Sequence, residues 1–299
     1  MKSHVTLCFP DREKTCFGCC PPIRPAGYEH IQHKNIIQRI LRENTRAMRA
    51  KEEFIQPITG FSCWALGYLD KDCRLIGCLL HPEQNNGRDL RCRVDYGQKC
   101  RREICPQAKT FDALESDVQE FWLQMTTGLD AFSYSSTSKN PLFKMMGWGR
   151  ELLTSIARSE PERTFTWPSF LKTYPLFSTD LSPRGNAYLL HVLMDKGDHR
   201  ILRNSGFMAA FEGFARSLPA RLMPLVPSPE EGPFVHRLDL DPSFLDFLRL
   251  CLSIRRMEKS RACRLKELVD NSLARLKFQI ETSLQFANRL EVRGWRQKS

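Results

Sequence analysis

Apolar residues recur at three- and four-residue steps through most of the chain after residue 110 and lose that rhythm before it. Phe111, Leu114, Val118, Phe121, Met125 and Leu129 mark one face of an amphipathic helix. The polar run Ser133–Asn140 that follows reads as a loop. Asn140 then offers a helix cap and Pro141 a first helical position, which predicts a helix over Leu142–Ala157. One or two helices are expected between residues 184 and 217, broken near Gly197 or Gly206. Pro219, Pro224, Pro227, Pro229 and Pro233 predict an extended connector. Asp241-Pro242 repeats the cap-and-proline signal ahead of Phe244, Phe247, Leu248, Cys251 and Leu252. The last segment sets Ala262, Leu265, Val269, Leu273, Leu276, Ile280, Leu284 and Ala287 on one stripe. At more than about 25 residues, such a helix is expected to lie along a whole domain or against a protein partner.

Before residue 110 one stretch keeps a helical period: Ile31, Ile36, Ile37, Ile40 and Leu41 predict a helix over about 30–53. Elsewhere short apolar runs alternate with turn formers. Tyr68-Leu69 and Leu75-Ile76 flank Asp70-Lys71-Asp72, the pattern of a short hairpin. The whole pattern predicts an α+β fold in two parts. Residues 1–109 form an irregular, cysteine-rich metal-binding module with short hairpins, and residues 110–299 form an all-α helical domain.

With 299 residues, each part is long enough to bury a core without covalent help. Nothing approaches the ~18–20 consecutive apolar residues of a membrane helix. The N-terminus reaches charge at Asp11 without the apolar region of a signal peptide, so a cytoplasmic location is expected. That location bears on the cysteines, of which the chain has 12. All but Cys251 and Cys263 precede residue 106. In a reducing compartment, such crowding points to metal binding rather than to a disulfide framework.

Cys16-x2-Cys19 lets two thiolates converge on one metal centre, with Gly18 freeing the intervening turn. The adjacent Cys19 and Cys20 point different ways in an extended chain, so they serve different centres or only one of them is a ligand. Cys20-Pro21 and Cys105-Pro106 share the ending of bacterial ferredoxin runs. Cys73-x4-Cys78 and Cys100-x4-Cys105 share a spacing that a helix would splay by about 140°, so a bend is required if both members bind together. The candidate metal ligands are Cys16, Cys19, Cys20, Cys63, Cys73, Cys78, Cys92, Cys100 and Cys105. Cys8 is a further thiolate within reach. His81 reads as a turn or core residue, His30 and His33 as a solvated helical face, and Cys251 as core packing beside Phe244 and Phe247.

The opening Cys16-x2-Cys19-Cys20, with the later Asp72-Cys73-x4-Cys78-Leu79-Leu80-His81-Pro82 and further cysteines, resembles a bacterial zinc- or iron-chelating cysteine-rich family of the CxxCxxCC type. The resemblance covers residues 16–105. It departs from the family pattern in lacking one opening cysteine, for which Cys8 is too distant to be a simple replacement. It also lacks the arginine-proline-cysteine pattern near Asn85–Asp89. The resemblance implies metal chelation, by an iron–sulfur cluster or by zinc. The Cys-Pro endings and the shortage of histidine ligands favour iron–sulfur.

A net charge of +11 and a pI ≈ 9.2 permit an acidic partner such as nucleic acid. Arg255, Arg256, Lys259, Arg261, Arg264 and Lys266 near the last helix would carry such a contact. The alternative function is therefore a zinc-stabilised nucleic-acid-binding protein that uses basic helices. Phosphate-binding glycine loops, His-Glu-x-x-His and Gly-x-Ser-x-Gly are absent, and no catalytic residue is assigned.

Overall fold

The computed structural model describes residues 5–20, 27–49, 62–102, 104–160, 164–194, 199–225 and 232–296, with side chains described only as far as Thr282. Among them the chain is mostly helical, with one two-stranded sheet. It divides into two compact units: Met1–Met146 with Glu162–Trp167, and Gly147–Pro161 with Pro168–Ser299.

The first unit is organised around a helix and a hairpin. Helix α1 (Lys34–Arg49) buries Ile37 and Leu41, while Ile36 of the predicted stripe faces solvent. Residues 50–53 of that expected helix lie outside the described residues. Strands β1 (Leu66–Tyr68) and β2 (Ile76–Cys78) pair antiparallel, with Leu66 opposite Cys78 and Tyr68 opposite Ile76. The turn between them is held by Asp70, whose Oδ1 accepts from the N–H of Arg74 and of Leu75 at 2.9 Å. Two threonines tie the hairpin into the unit. Thr45 Oγ1 of α1 accepts from Tyr68 N at 2.8 Å. Thr15 Oγ1 donates to Ile76 O at 2.6 Å and accepts from Ile76 N at 2.8 Å. Buried backbone groups at both strands thereby gain partners that a two-stranded sheet cannot supply itself.

Four short helices follow: α2 (Gly97–Arg102), α3 (Pro106–Asp112), α4 (Ser116–Leu123) and α5 (Ala131–Ser135). The single amphipathic helix expected from Phe111 to Leu129 is broken between α3 and α4. Phe111, Leu114, Val118, Phe121 and Met125 are nonetheless buried, so the period marks the apolar face but not the continuity. Gln119 is buried at the break, with Nε2 donating to Phe111 O at 2.9 Å.

Within the polar run 133–140, Ser133–Ser135 end α5, while residues 136–140 form the expected loop, exposed at Thr137, Ser138 and Lys139 and tied inward on either side. Tyr134 OH donates to Leu7 O at 2.9 Å, and Ser135 Oγ accepts from Phe17 N at 3.0 Å. Buried Asn140 donates to Tyr134 O at 2.7 Å, ahead of α6 (Pro141–Met146). Phe132 meets Phe17 edge-on at 5.2 Å in the core that also holds Ile37, Leu66 and Ile76. The domain boundary expected near residue 109 therefore falls inside this unit, because residues 131–140 complete the core of the cysteine-bearing segment.

Glu29 closes the same junction. It accepts from Ser136 Oγ at 2.7 Å, Ser138 Oγ at 2.6 Å and Ser138 N at 3.0 Å. Burial alone would raise its carboxyl, but the donors of Ser138, Thr137 and Ser136 outweigh it and hold the carboxyl at about 2. A lowered folded-state value gives stability that is present above the ordinary value near 4.5 and lost as pH falls toward 2. Glu29→Gln is expected to cost about 1–2 kcal/mol near neutral pH, after allowance for solvent screening. Urea unfolding should show the gap between variant and parent narrowing near pH 3. A gap that does not change with pH would contradict this account.

The second unit contains α7 (Arg150–Ser159), most of α8 (Trp167–Thr173), α9 (Pro183–Met194), α10 (Ser205–Leu222), α11 (Pro242–Leu250) and α12 (Lys259–Arg296). The helix expected over Leu142–Ala157 is interrupted at Trp148-Gly149, where Gly149 has φ +93. A Cβ there would stand 3.0 Å from His191 Cε1, so the chain must pass close under that ring. Helix α10 runs through Pro219, held by buried Leu218 and Leu222, and the proline-rich connector starts later than expected. Pro227 and Pro229 lie outside the described residues. Asp241 caps α11 as expected, accepting from Ser243 N at 2.8 Å and Phe244 N at 3.0 Å. Cys251 packs beside α9 and donates to Gly185 O at 3.3 Å. Helix α12 buries Ala262, Leu265, Val269, Leu273, Leu276 and Ile280. Leu284 and Ala287 lie beyond the described side chains. No described helix is long and apolar enough to cross a membrane.

Candidate metal centre

Local turns deliver each cysteine. Cys16 N donates to Cys8 O at 2.9 Å, which folds Cys8 back beside the Cys16–Cys20 segment. Cys20 N donates to Phe17 O at 3.0 Å, and Phe17 is buried as the anchor of that turn. Gly18 presses on α5 so closely that a Cβ would lie 2.6 Å from Ser135 O. Cys63 and Cys78 are brought to one end of the hairpin. Leu66 N donates to Cys63 O at 3.0 Å, and Leu66 stands opposite Cys78 in register. Cys100 rides on α2, where Arg91 Nη1 donates to its carbonyl at 3.1 Å. Cys105 precedes α3, and its Sγ accepts from Ala108 N at 3.3 Å.

These turns place eight cysteines around one cavity of about 640 Å³: Cys8, Cys16, Cys19, Cys20, Cys63, Cys78, Cys100 and Cys105. Its volume lies in the ~300–1,000 Å³ range of ligand pockets, far beyond what a bare ion needs. Seven of the nine predicted ligands are therefore brought together. Cys73 stands apart, exposed at the hairpin turn with φ +58. Cys92 is exposed on the turn Arg91–Arg93. Cys8 joins the cavity although sequence spacing gives it no fixed relation to Cys16. The turn linking those two residues is made by backbone atoms and leaves no motif. His30 also departs from expectation. It is buried, its ring lies 4.9 Å from Phe17, and it lines the cavity, whereas His33 is exposed. His81 Nδ1 accepts from Glu83 N at 3.4 Å, the turn role expected of it.

Burial dominates the electrostatics of the cavity thiols. Burial, then the charges of Cys19 and Cys105, pushes the Cys8 thiol up to about 12. Burial likewise raises Cys63 to about 12 and lifts Cys16, Cys78 and Cys105, with neighbouring thiolates adding to each. For Cys20 the leading cause is the hydrogen bond with the Cys19 thiol, followed by burial. Backbone N–H groups act in the opposite sense. Gly18 donates toward Cys16, Ala65 and Leu66 toward Cys63, Leu80 and His81 toward Cys78, and Gln107 and Ala108 toward Cys105. Such donors favour thiolates. The thiols thus carry the donors that thiolates require, but they ionise together only when a cation offsets their repulsion, with release of their protons.

Among the described residues, no three His, Cys, Asp or Glu side chains approach closely enough to hold a single metal ion. The thiols ring the cavity instead of meeting at a point. Tetrahedral zinc with bonds of ~2.3 Å would draw its sulfurs to about 3.8 Å apart. The chain matches no family model, no curated protein and no solved structure. The resemblance carried by Cys16–Cys105 rests on those residues alone.

Several of the basic residues near α12 are engaged within their own unit. Lys266 Nζ donates to Asp270 at 2.7 Å, Lys259 to Asp239 at 3.3 Å, and the Arg256 guanidinium lies 4.3 Å over the Phe234 ring. Those charges are already partly answered before any polyanion arrives.

Proposed function

We propose that this chain is an iron–sulfur protein whose cysteine-lined cavity holds the inorganic cofactor. The observation that carries this reading is the convergence of eight cysteines, spread over residues 8–105, on one cavity of about 640 Å³. Packing alone does not gather thiols in this way, since a free cysteine serves a core as an ordinary small apolar residue. A polynuclear cluster interposes its own iron and sulfide between the thiolates, so it suits a ring of sulfurs better than a lone zinc ion does. When bound, a cluster supplies one-electron chemistry. The protein's own residues shape that chemistry through the N–H donors to sulfur and through Arg91. This guanidinium is oriented by Asp89 at 2.9–3.0 Å and acts electrostatically on Cys78. Hydrogen bonds to cluster sulfurs and nearby charge are the levers that set a cluster's potential.

The test is anaerobic purification followed by metal, sulfide and ultraviolet–visible analysis. The expected protein is brown, with iron and acid-labile sulfide. A colourless protein with stoichiometric zinc would replace the cluster by zinc in the same cavity. A protein that takes up neither metal, even after anaerobic reconstitution, would end the metal reading.

A further inference from the structure

We infer that the α2 side of the cavity mouth is a docking face for an acidic protein, one that exchanges single electrons with the bound cofactor. The electron exchange rests on the iron–sulfur reading above, whereas the docking face does not depend on it.

Residues that both line the cavity and reach solvent mark where it opens. On one side of the opening stand Arg101, at the end of α2, and Ile104 just beyond it, with Lys99 half-buried beside them. Helix α2 packs so closely on the Arg91–Arg93 turn that the charges of both elements share one surface. Residues 88–109 carry seven Lys or Arg against three Asp or Glu, so a short stretch supplies a large part of the net charge of +11. Two carboxylates nearby are already engaged. Asp89 Oδ1 accepts from Arg91 N and Nε at 3.0 Å, and its Oδ2 from Nη2 at 2.9 Å. Glu29, which lines the cavity, is taken by Ser136 and Ser138. Arg88, Arg101, Arg102 and Lys109 are exposed, and so is Asp95.

Charge alone would describe an ordinary solvated surface. This one also carries apolar side chains among the cations: Ile104 is 53% exposed and Tyr96 is 41% exposed. Tyr96 precedes Lys99 and Cys100 by one turn of α2 and shares their face, as Lys109 follows Cys105 by one turn of α3. Apolar anchors within a charged rim that steers an oppositely charged partner are the make-up of a protein interface. A nucleic acid would use the cations and could stack on Tyr96, but it offers Ile104 nothing and its phosphates would meet Asp95. Electron-transfer encounters bury less than ~1,200 Å², which a face built on two short helices can supply. In each encounter one electron passes, the partner's cofactor is oxidised and the cavity's cluster reduced, and no bond forms or breaks.

The probe is a plant-type [2Fe–2S] ferredoxin, an acidic one-electron carrier, titrated by calorimetry into the full chain as purified. Binding at about 50 mM salt that weakens ~10-fold or more by about 500 mM is expected. Arg88→Glu/Arg102→Glu should weaken it ~10-fold or more at the lower salt. Arg261→Glu/Arg264→Glu, the same change of charge on α12, should leave it unaltered. No binding, binding insensitive to salt, or equal loss in both variants would overturn the docking face. Tighter binding of a short single-stranded RNA, lost in the Arg88/Arg102 variant, would give the face to nucleic acid and overturn the protein partner. Should that variant fail to fold, carbodiimide coupling of wild type to the ferredoxin decides. Links at Lys99 or Lys109 support the face, and links only at Lys266 or Lys277 refute it. In the iron-loaded chain, stopped-flow reduction by the ferredoxin should slow with salt and in the Arg88/Arg102 variant. Reduction unaffected by either would overturn the electron exchange. A chain that binds the ferredoxin as expected but holds no iron would sink the metal reading, and the electron exchange with it, while the docking face stands.

Discussion

On the proposed metal-binding reading, stripping the metal with a chelator is expected to unfold the first unit, up to Met146, while α9 to α12 of the second unit keep their helical signal. Coordination by structural cysteine sites contributes ~10–16 kcal/mol, as large as the ~5–15 kcal/mol net stability of a whole domain. Without a cation, the first unit lacks that coordination energy and has a two-stranded sheet and short helices to hold it together. The second unit needs no such support, because its long helices bury continuous apolar stripes. Limited proteolysis read by mass spectrometry should therefore cut the metal-free chain first before residue 146. The Tyr134–Ser136 part of the Ser133–Asn140 segment should be protected in the loaded protein, since its side chains are buried and hydrogen-bonded to Leu7, Phe17 and Glu29. Parallel loss of both units would show that their stabilities are coupled, and retention of both would show that the metal is not structural.

Gly97→Ala should be among the most damaging single substitutions in the chain. A Cβ at this position would lie 2.1 Å from Arg91 O and 2.9 Å from Arg91 C. Neither atom can swing aside as a side-chain tip would. Helix α2 would have to lift off the Arg91–Arg93 turn, which breaks the Arg91–Cys100 contact and carries the Cys100 thiol away from Cys78. A cost of about 3 kcal/mol is expected, together with weaker metal binding on the proposed reading of the cavity. Gly213→Ala provides the contrast. Gly213 is an exposed position inside α10 with nothing within 4 Å, and the same change there should stabilise by about 0.5–1 kcal/mol. Thermal unfolding and iron content measured side by side would check both. Normal iron binding by Gly97→Ala would show that α2 does not set the position of Cys100.

Helical faces were legible from period alone, because burial of an apolar stripe is a local property of the sequence. The caps at Asn140 and Asp241, the hairpin around Asp70–Asp72 and the packed Cys251 follow from short-range chemistry for the same reason. Legibility ended where distant backbone atoms decide the outcome. Nothing in Ser133–Asn140 announces that Tyr134 and Ser135 will meet Leu7 and Phe17, so the buried start of the segment reads as part of its loop. Breaks within helices were equally hidden, since Phe111 to Met125 keeps its period across the gap between α3 and α4. The candidate site divides in the same way. Clustering marked the cysteine-rich segment. Spacing could not show that Cys73 ends on an exposed turn, that Cys8 folds back on Cys16, or that His30 faces inward.

The hydrogen bond from Tyr134 OH to Leu7 O joins positions 127 residues apart, and the first unit cannot close until both have been made. At ~5–20 residues per second, translation takes about 6–25 s to travel that distance. Through that interval, the thiols from Cys8 onward leave the ribosome one after another with no finished cavity to enter. A nascent chain in this condition is exposed to oxidation and to adventitious zinc, both of which act on free thiolates. If the cavity holds metal as proposed, the yield of loaded protein should then depend on the redox state and the metal supply of the producing cell during synthesis, well before the folded protein exists.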